Sequence, residues 1–171
     1  MSPLLKTALL TLILSLTSAS SSLLPRQSCG KGTQKICYGQ PTGTPQNIEP
    51  SDLEYLAAVI RYDARKNGPQ NPGWFNMPPN PNFQCEEWTI ASEGTVMILV
   101  KHTSARLNTT VLAEDIAKTL DDAEGGILGC GENGGQRGVI YDKGDQRYND
   151  ERYKSWKSTP EGLVIKVVRA G

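Results

Sequence analysis

The sequence predicts an α+β fold: a two-layer sandwich in which a mainly antiparallel sheet of four to five strands carries two helices on one face, with a disulfide-tied N-terminal arm beside it. Three observations predict it. Leu53, Leu56, Ala57, Ile60 and Ala64 recur at helical spacing. Val96-Met97-Ile98-Leu99-Val100 is an unbroken apolar run, β-branched in part, which reads as a central strand buried on both faces. The elements together run in the order helix, strand, strand, helix, strand, strand, with hairpin-length spacings. A chain of 171 residues with a hydrophobic fraction of 37% suffices for one modest core, and 17 Gly with 11 Pro predict much irregular chain.

Met1 to Ser20 reads as a secretory signal peptide: one cation, Lys6, then the apolar run Ala8 to Leu16, then the small residues Thr17-Ser18-Ala19-Ser20. That run is shorter than the roughly 20 residues a membrane span needs. Pro25-Arg26 offers a second processing point. Residues 21–49, rich in Ser, Gly, Pro, Gln and Thr, form an extended arm, and residues 50–171 form a single α+β domain. Pro50-Ser51-Asp52-Leu53-Glu54 presents a capping box for its first helix, with Ser51 at the N-cap and Glu54 three residues on, and Asn67-Gly68 supplies the stop. From Gly68 to Gln84 the prolines at 69, 72, 78, 79 and 81 exclude a helix or a central strand and predict a long, stiff loop. Strands follow at Glu86–Ala91, half exposed, and Thr95–His102, joined through Ser92-Glu93-Gly94. A second helix spans Thr110–Ala123, with Leu112, Ile116 and Leu120 on one stripe and Gly125-Gly126 as its stop. Then come the Ile127–Cys130 segment, a Gly-rich turn, a strand over Gly138–Tyr141, a charged loop over Asp142–Glu161 and a last strand over Leu163–Val168.

Cys29, Cys37, Cys85 and Cys130 fit two disulfides in an oxidising compartment, with all three pairings open. No C-x-x-C pair occurs and His102 is the sole histidine, so no zinc pattern exists and no metal or cofactor is expected. Lys plus Arg and Asp plus Glu are each 18, giving a net charge of zero. That balance supplies no strong field to gather nucleic acid or anionic lipid. The expectation is a secreted monomer without a membrane span. Asn108-Thr109-Thr110 is a glycosylation sequon, at what reads as an exposed helix start.

For chemistry, His102 at a strand end near Lys101 and Arg106, with Glu87 or Glu93 as partner, is the one candidate set for phosphodiester cleavage. A structural role for the histidine is the simpler reading. No Gly-x-Ser-x-Gly elbow occurs. Gly129-Cys130-Gly131-Glu132-Asn133-Gly134 matches a dinucleotide fingerprint by letter, but it follows a helix and leads into a strand, so it reads as a turn beside a disulfide. The acid pairs Glu86-Glu87, Glu114-Asp115 and Asp121-Asp122 read as solvated surface, and no calcium-loop spacing is present. Two segments carry interface composition. Trp74, Phe75 and Met77 sit among prolines, either folded back as a lid or held out as a rigid anchor. Tyr141 to Trp156 interleaves aromatics with cations, from which Arg147, Tyr148, Tyr153 and Trp156 are taken as partner-binding. The plain alternative is that these rings pin a long loop to the body.

Signal, short mature domain, two disulfides and a Gly/Pro-rich framework together resemble the small secreted virulence effectors of plant-associated filamentous fungi. Ile116 through Cys130 and the tail Gly162 to Val168 are similar in layout to fungal killer-toxin-like proteins, where a helix leads to a cysteine-glycine turn and a late strand. A helix on an antiparallel sheet is also similar to cystatins, with Pro72-Gly73-Trp74 set against their Pro-Trp wedge, although their Gln-x-Val-x-Gly wedge is missing. The resemblance implies a non-enzymatic effector that binds and inhibits a host protein, such as a papain-like cysteine protease of plant immunity. The alternatives are a small secreted hydrolase, such as a nuclease using His102, and a killer-type antimicrobial toxin.

Overall fold

The computed structural model describes residues 28–171 apart from 31, 40, 67–72, 81, 83 and 124. The expected signal peptide, Pro25-Arg26, the Asn67-Gly68 helix stop and Pro69, Pro72 and Pro81 lie outside the described residues. The elements run β1 (Ile36–Cys37), α1 (Pro50–Lys66), β2 (Trp74–Met77), β3 (Glu87–Glu93), β4 (Val96–His102), β5 (Thr109–Leu112), α2 (Ala113–Asp121), a 3-10 segment (Ile127–Asn133), β6 (Gly135–Gly138), α3 (Gln146–Asn149), α4 (Glu151–Ser155) and β7 (Leu163–Arg169). The fold is α+β. An antiparallel five-stranded sheet has the order β1-β6-β7-β4-β3, and β2 pairs with β5 in a separate two-stranded sheet.

Strand alternation decides which residues make the core. On β4, Val96, Ile98, Val100 and His102 are buried while Met97, Leu99 and Lys101 between them are half-buried. On β7, Leu163, Ile165 and Val167 stand opposite His102, Val100 and Ile98. This row packs with Leu53, Leu56 and Ala57 of α1 and with Ile116 and Leu120 of α2. The expectation that β4 is buried on both faces is therefore corrected: the helical layer covers one face only. Truncating a side chain at the centre of this layer, such as Ile98, costs about 2–5 kcal/mol.

α1 begins at Pro50, two residues before the first helical position that an N-cap at Ser51 implies, so Ser51 lies within the helix and proline takes the first position, where its missing N–H costs nothing. Asp52 instead reaches the β3–β4 turn, accepting from Thr95 N and Thr95 Oγ1 at 2.7 and 2.8 Å. Gly94 in that turn has φ 52°, and a Cβ there would lie 2.6 Å from the Asp52 carboxyl carbon. Glycine is required on both counts.

Four boundaries differ from expectation. The proline-rich stretch holds a strand, β2, because its prolines flank residues 74–77 without interrupting them and β5 supplies a partner along one edge. Thr109, Thr110 and Val111, β-branched, take that pairing, and so α2 starts only at Ala113. β6 covers Gly135–Gly138, earlier than the expected Gly138–Tyr141. Within the charged loop, Asp145 and Asp150 accept from the backbone N–H of Arg147 and Arg152 and so cap two short helices.

The disulfides join Cys29 to Cys85 and Cys37 to Cys130, both tying the N-terminal arm to the body. The arm is further pinned by a hydrogen bond from Cys29 N to Thr103 O at 2.8 Å. No described helix is long and apolar enough to cross a membrane.

Candidate functional site

The residues expected to bind a partner do not form one surface. On β2, alternation sends Phe75 and Met77 into the main core, with Met77 buried, while Trp74 faces the other way into a second cluster. There its ring lies 5.5 Å from Tyr148, 5.0 Å from Tyr153 and 5.6 Å from Trp156. These edge-to-face and tilted pairings are the preferred geometry of packed rings. Tyr148 and Tyr153 are buried as well. The reading of Met77, Tyr148 and Tyr153 as exposed partner contacts is corrected: their apolar surface is consumed within the fold. Trp74 does not project as a wedge.

Hydrogen bonding explains why the segment folds inward. α2 lacks a side-chain cap, and the Tyr148 hydroxyl takes the N–H of Leu112 at 3.0 Å while donating to Asp115 Oδ2 at 2.5 Å. The Tyr153 hydroxyl donates to Thr110 O at 3.0 Å. Asn108 Nδ2 donates to Trp156 O at 3.1 Å, and Thr109 and Thr110 are buried at the start of β5, so the sequon runs into a strand and its acceptor amide is engaged. The exposed helix start expected there is absent. Burial pushes Asp115 up, as it does Tyr148, and holds Tyr153 up at about 12.

Arg147 belongs to a ladder of charges across three helices. Its guanidinium meets Asp145 at 2.7 Å and Glu114 at 2.8 Å, and Glu114 also takes Arg65 at 2.8 Å. The Arg65 and Arg147 hydrogen bonds hold the Glu114 carboxyl below its ordinary value, and Arg147 does the same to Asp145. A guanidinium already committed to two carboxylates acts as a positioning group for the α2–α3 contact.

His102 is 3% exposed, and its Nε2 lies 3.1 Å from Met77 O. Burial lowers its pKa. Lys101, its neighbour in sequence, falls on the opposite face, where it and Lys166 flank Glu87 at 3.5 and 2.8 Å. The histidine, lysine and carboxylate that made a cleavage site conceivable are thus divided by the sheet. The glycine-rich segment ends at Gly134 and leads into β6, with Cys130 held to Cys37. Among the described residues, no group of three or more His, Cys, Asp or Glu is gathered to hold a metal.

Among the described residues three large hydrophobics are exposed: Trp88 on β3, at 38%, and two tyrosines on α1. Tyr55 and Tyr62, spaced i and i+7, are 58% and 67% exposed, on the face opposite Leu53, Leu56, Ala57 and Ala64. Beside Tyr62, a shallow recess of about 390 Å³ is lined by Ala58, Arg61, Arg65 and Lys66 as well as Tyr62 itself. Arg61 is fixed by two bonds to Asp121, at 2.9 and 2.7 Å, whereas the Arg65 side chain stays 68% exposed. Tyrosine and arginine on a rigid element form the composition of binding hot spots. The sequence contained this signal, since the helical wheel that assigned the core face also placed both tyrosines on its opposite side.

Compared with protein families, curated proteins and solved structures, the chain finds no significant match.

Proposed function

We propose that the protein is a secreted, disulfide-tied effector that acts by binding a host protein, with the outer face of α1 as the contact surface. The observation that carries this reading is the pair Tyr55 and Tyr62, exposed on a helix whose other face is fixed in the core, beside a recess that, among the described residues, Lys66 lines together with Arg61 and Arg65, which are themselves paired with Asp121 and Glu114. Such a surface fits a partner that presents an acidic segment, with the tyrosines supplying apolar area at low entropic cost and the cations steering the approach. Two disulfides that anchor the arm suit an extracellular setting. The resemblance to fungal effectors directs the search to a plant host, and to its secreted papain-like proteases first.

Capture from plant apoplastic fluid, run in parallel with wild type and Tyr55→Ala/Tyr62→Ala, tests the reading. Each tyrosine is expected to contribute about 2 kcal/mol or more, or roughly 30-fold in affinity. The expected result is a salt-sensitive partner with an acidic surface that the double variant, unchanged in melting temperature, fails to retain. Equal capture by both proteins, or none by wild type, overturns it.

A further inference from the structure

A large cavity lies away from α1, at the end of the five-stranded sheet, and we infer that it binds an acidic oligosaccharide: a chain of sugars that bear carboxylates. The cavity, about 960 Å³, opens where the N-terminal arm, the loop after β4, the exit of β6 and the start of β7 converge. Its size is at the upper end of the range for small-ligand sites, roughly 300–1,000 Å³, but its lining departs from the apolar norm. Five hydroxyl side chains line it, Ser28, Thr33, Thr103, Ser104 and Thr159. Among the described residues Arg106, Arg137 and Lys143 line it together with Glu161, and Arg137 also donates to Gly125 O.

The walls are built to stay open. The disulfide Cys29–Cys85 holds the arm so that Ser28 and Thr33 form one side. Gly138 lets that side approach closely, since a Cβ there would lie 2.5 Å from Thr33 Cβ. Gly162, at φ 92°, lets the Leu107 side chain pack directly on the backbone at the opposite side. Along the rim, Glu161 accepts from Lys143 Nζ at 2.9 Å and from the Tyr141 hydroxyl at 2.8 Å. Lys143 and Tyr141 hold that carboxyl below its ordinary value. The Lys143 and Glu161 side chains are 77% and 61% exposed, so water screens the pair and the ammonium keeps further N–H donors for a ligand.

Each ligand class makes a different demand. Single-stranded nucleic acid needs open ring faces to stack on. The one aromatic among the described lining residues, Tyr141, already packs edge-on against Tyr148 at 5.8 Å. An apolar small molecule needs an apolar lining, which five hydroxyls and three cations do not provide. A sugar chain matches: its hydroxyls pair with the Ser and Thr groups, its C–H faces rest on Leu107, Val139 and Pro160, and its carboxylates meet guanidinium and ammonium.

The test uses the secreted full-length protein in isothermal titration and two-dimensional NMR. The probes are a galacturonic acid hexamer, a neutral glucose hexamer and inorganic phosphate. We expect the acidic hexamer to bind, to shift the backbone amides of Thr103 and Gly162, and to weaken as salt rises. The neutral hexamer should bind at least 10-fold more weakly. Arg106→Gln/Lys143→Gln should lower affinity for the acidic hexamer at least 10-fold with melting temperature unchanged, while Tyr55→Ala/Tyr62→Ala leaves it as in wild type. Absence of hexamer binding, equal affinity for the neutral chain, shifts confined to other parts of the molecule, or full displacement by equimolar phosphate would each overturn the assignment.

Discussion

Replacing Trp74 by alanine separates a packed ring from an exposed anchor, and the structure sets the size of the effect. A tryptophan carries roughly 150–250 Å² of contact surface, and Trp74 is half-buried. Removing half that area from its packing, at about 25 cal/mol per Å², costs about 2–3 kcal/mol. The three ring pairs, with centroids at 5.0 to 5.6 Å, add about 0.5–1.5 kcal/mol apiece. They share one ring and do not add fully, so the expected loss is about 3–5 kcal/mol, in line with other Trp→Ala truncations. In a chain of this length that lowers the melting temperature by at least about 6 °C. Circular dichroism melts and urea titration of Trp74→Ala, with Trp74→Phe as a partial replacement, measure it. Tyr62→Ala, from an exposed ring, should melt with wild type in the same assays. A Trp74→Ala protein that melts within about 2 °C of wild type would refute the packing argument and return Trp74 to the role of free anchor.

Three further outcomes follow from the same contacts. Native protein should show no alkylatable thiol by mass spectrometry, and cleaving either disulfide, which span 56 and 93 residues, should cost about 4–5 kcal/mol and unfold the chain at moderate temperature; stability unchanged on reduction would contradict this. Tyr148→Phe leaves the buried N–H of Leu112 without its acceptor, at about 1–3 kcal/mol by urea titration, and a neutral result would show that the hydroxyl does not cap α2. Stability should fall with acid from near pH 6.5: burial lowers the pKa of His102 in the fold, so the unfolded chain takes the proton first, and the contribution is whole above the ordinary value of 6.5 and lost as pH drops through it toward the lower folded value. Asp115, raised by burial, acts with opposite sign nearer the carboxylate range, and so the slope attributable to the histidine is the difference between wild type and His102→Leu in urea titrations at pH 7 and pH 5; parallel curves would place the acid sensitivity elsewhere.

Where local pattern and tertiary environment agree, the sequence is legible. The apolar repeat of α1 fixes both type and face, and the unbroken apolar runs of β4 and β7 fix type but not which face is covered; the structure keeps all three elements. Thr110 to Ala123 shows the opposite case. Its helical stripe is real, but Thr109–Leu112 meets β2 across a gap of more than thirty residues, and strand pairing wins the first turn from the helix. No local rule reports such a partner. Prolines misled in the same region because they were read as a block, whereas what matters is the short run they leave open at residues 74–77. Pairing of the cysteines was equally beyond reach, since it depends on how the arm crosses the sheet.

The aromatic and basic stretch from Tyr141 to Trp156 was ambiguous for a physical reason. Interfaces and pinned loops draw on the same residues, because each needs large apolar area with a polar tip. What separates the two is where the tips go. The hydroxyls of Tyr148 and Tyr153 end on Leu112, Asp115 and Thr110, and the guanidinium of Arg147 ends on Asp145 and Glu114, so every one of these groups is spent inside the chain. No partner could claim them without first paying to break that network. Tyr55 and Tyr62 have the same chemistry but stand on an element that is already fixed through its other face, leaving both ring and hydroxyl to solvent. A hot spot needs rigidity supplied from behind and polar groups left open in front. In this fold α1 meets both conditions, and the ring cluster meets only the first.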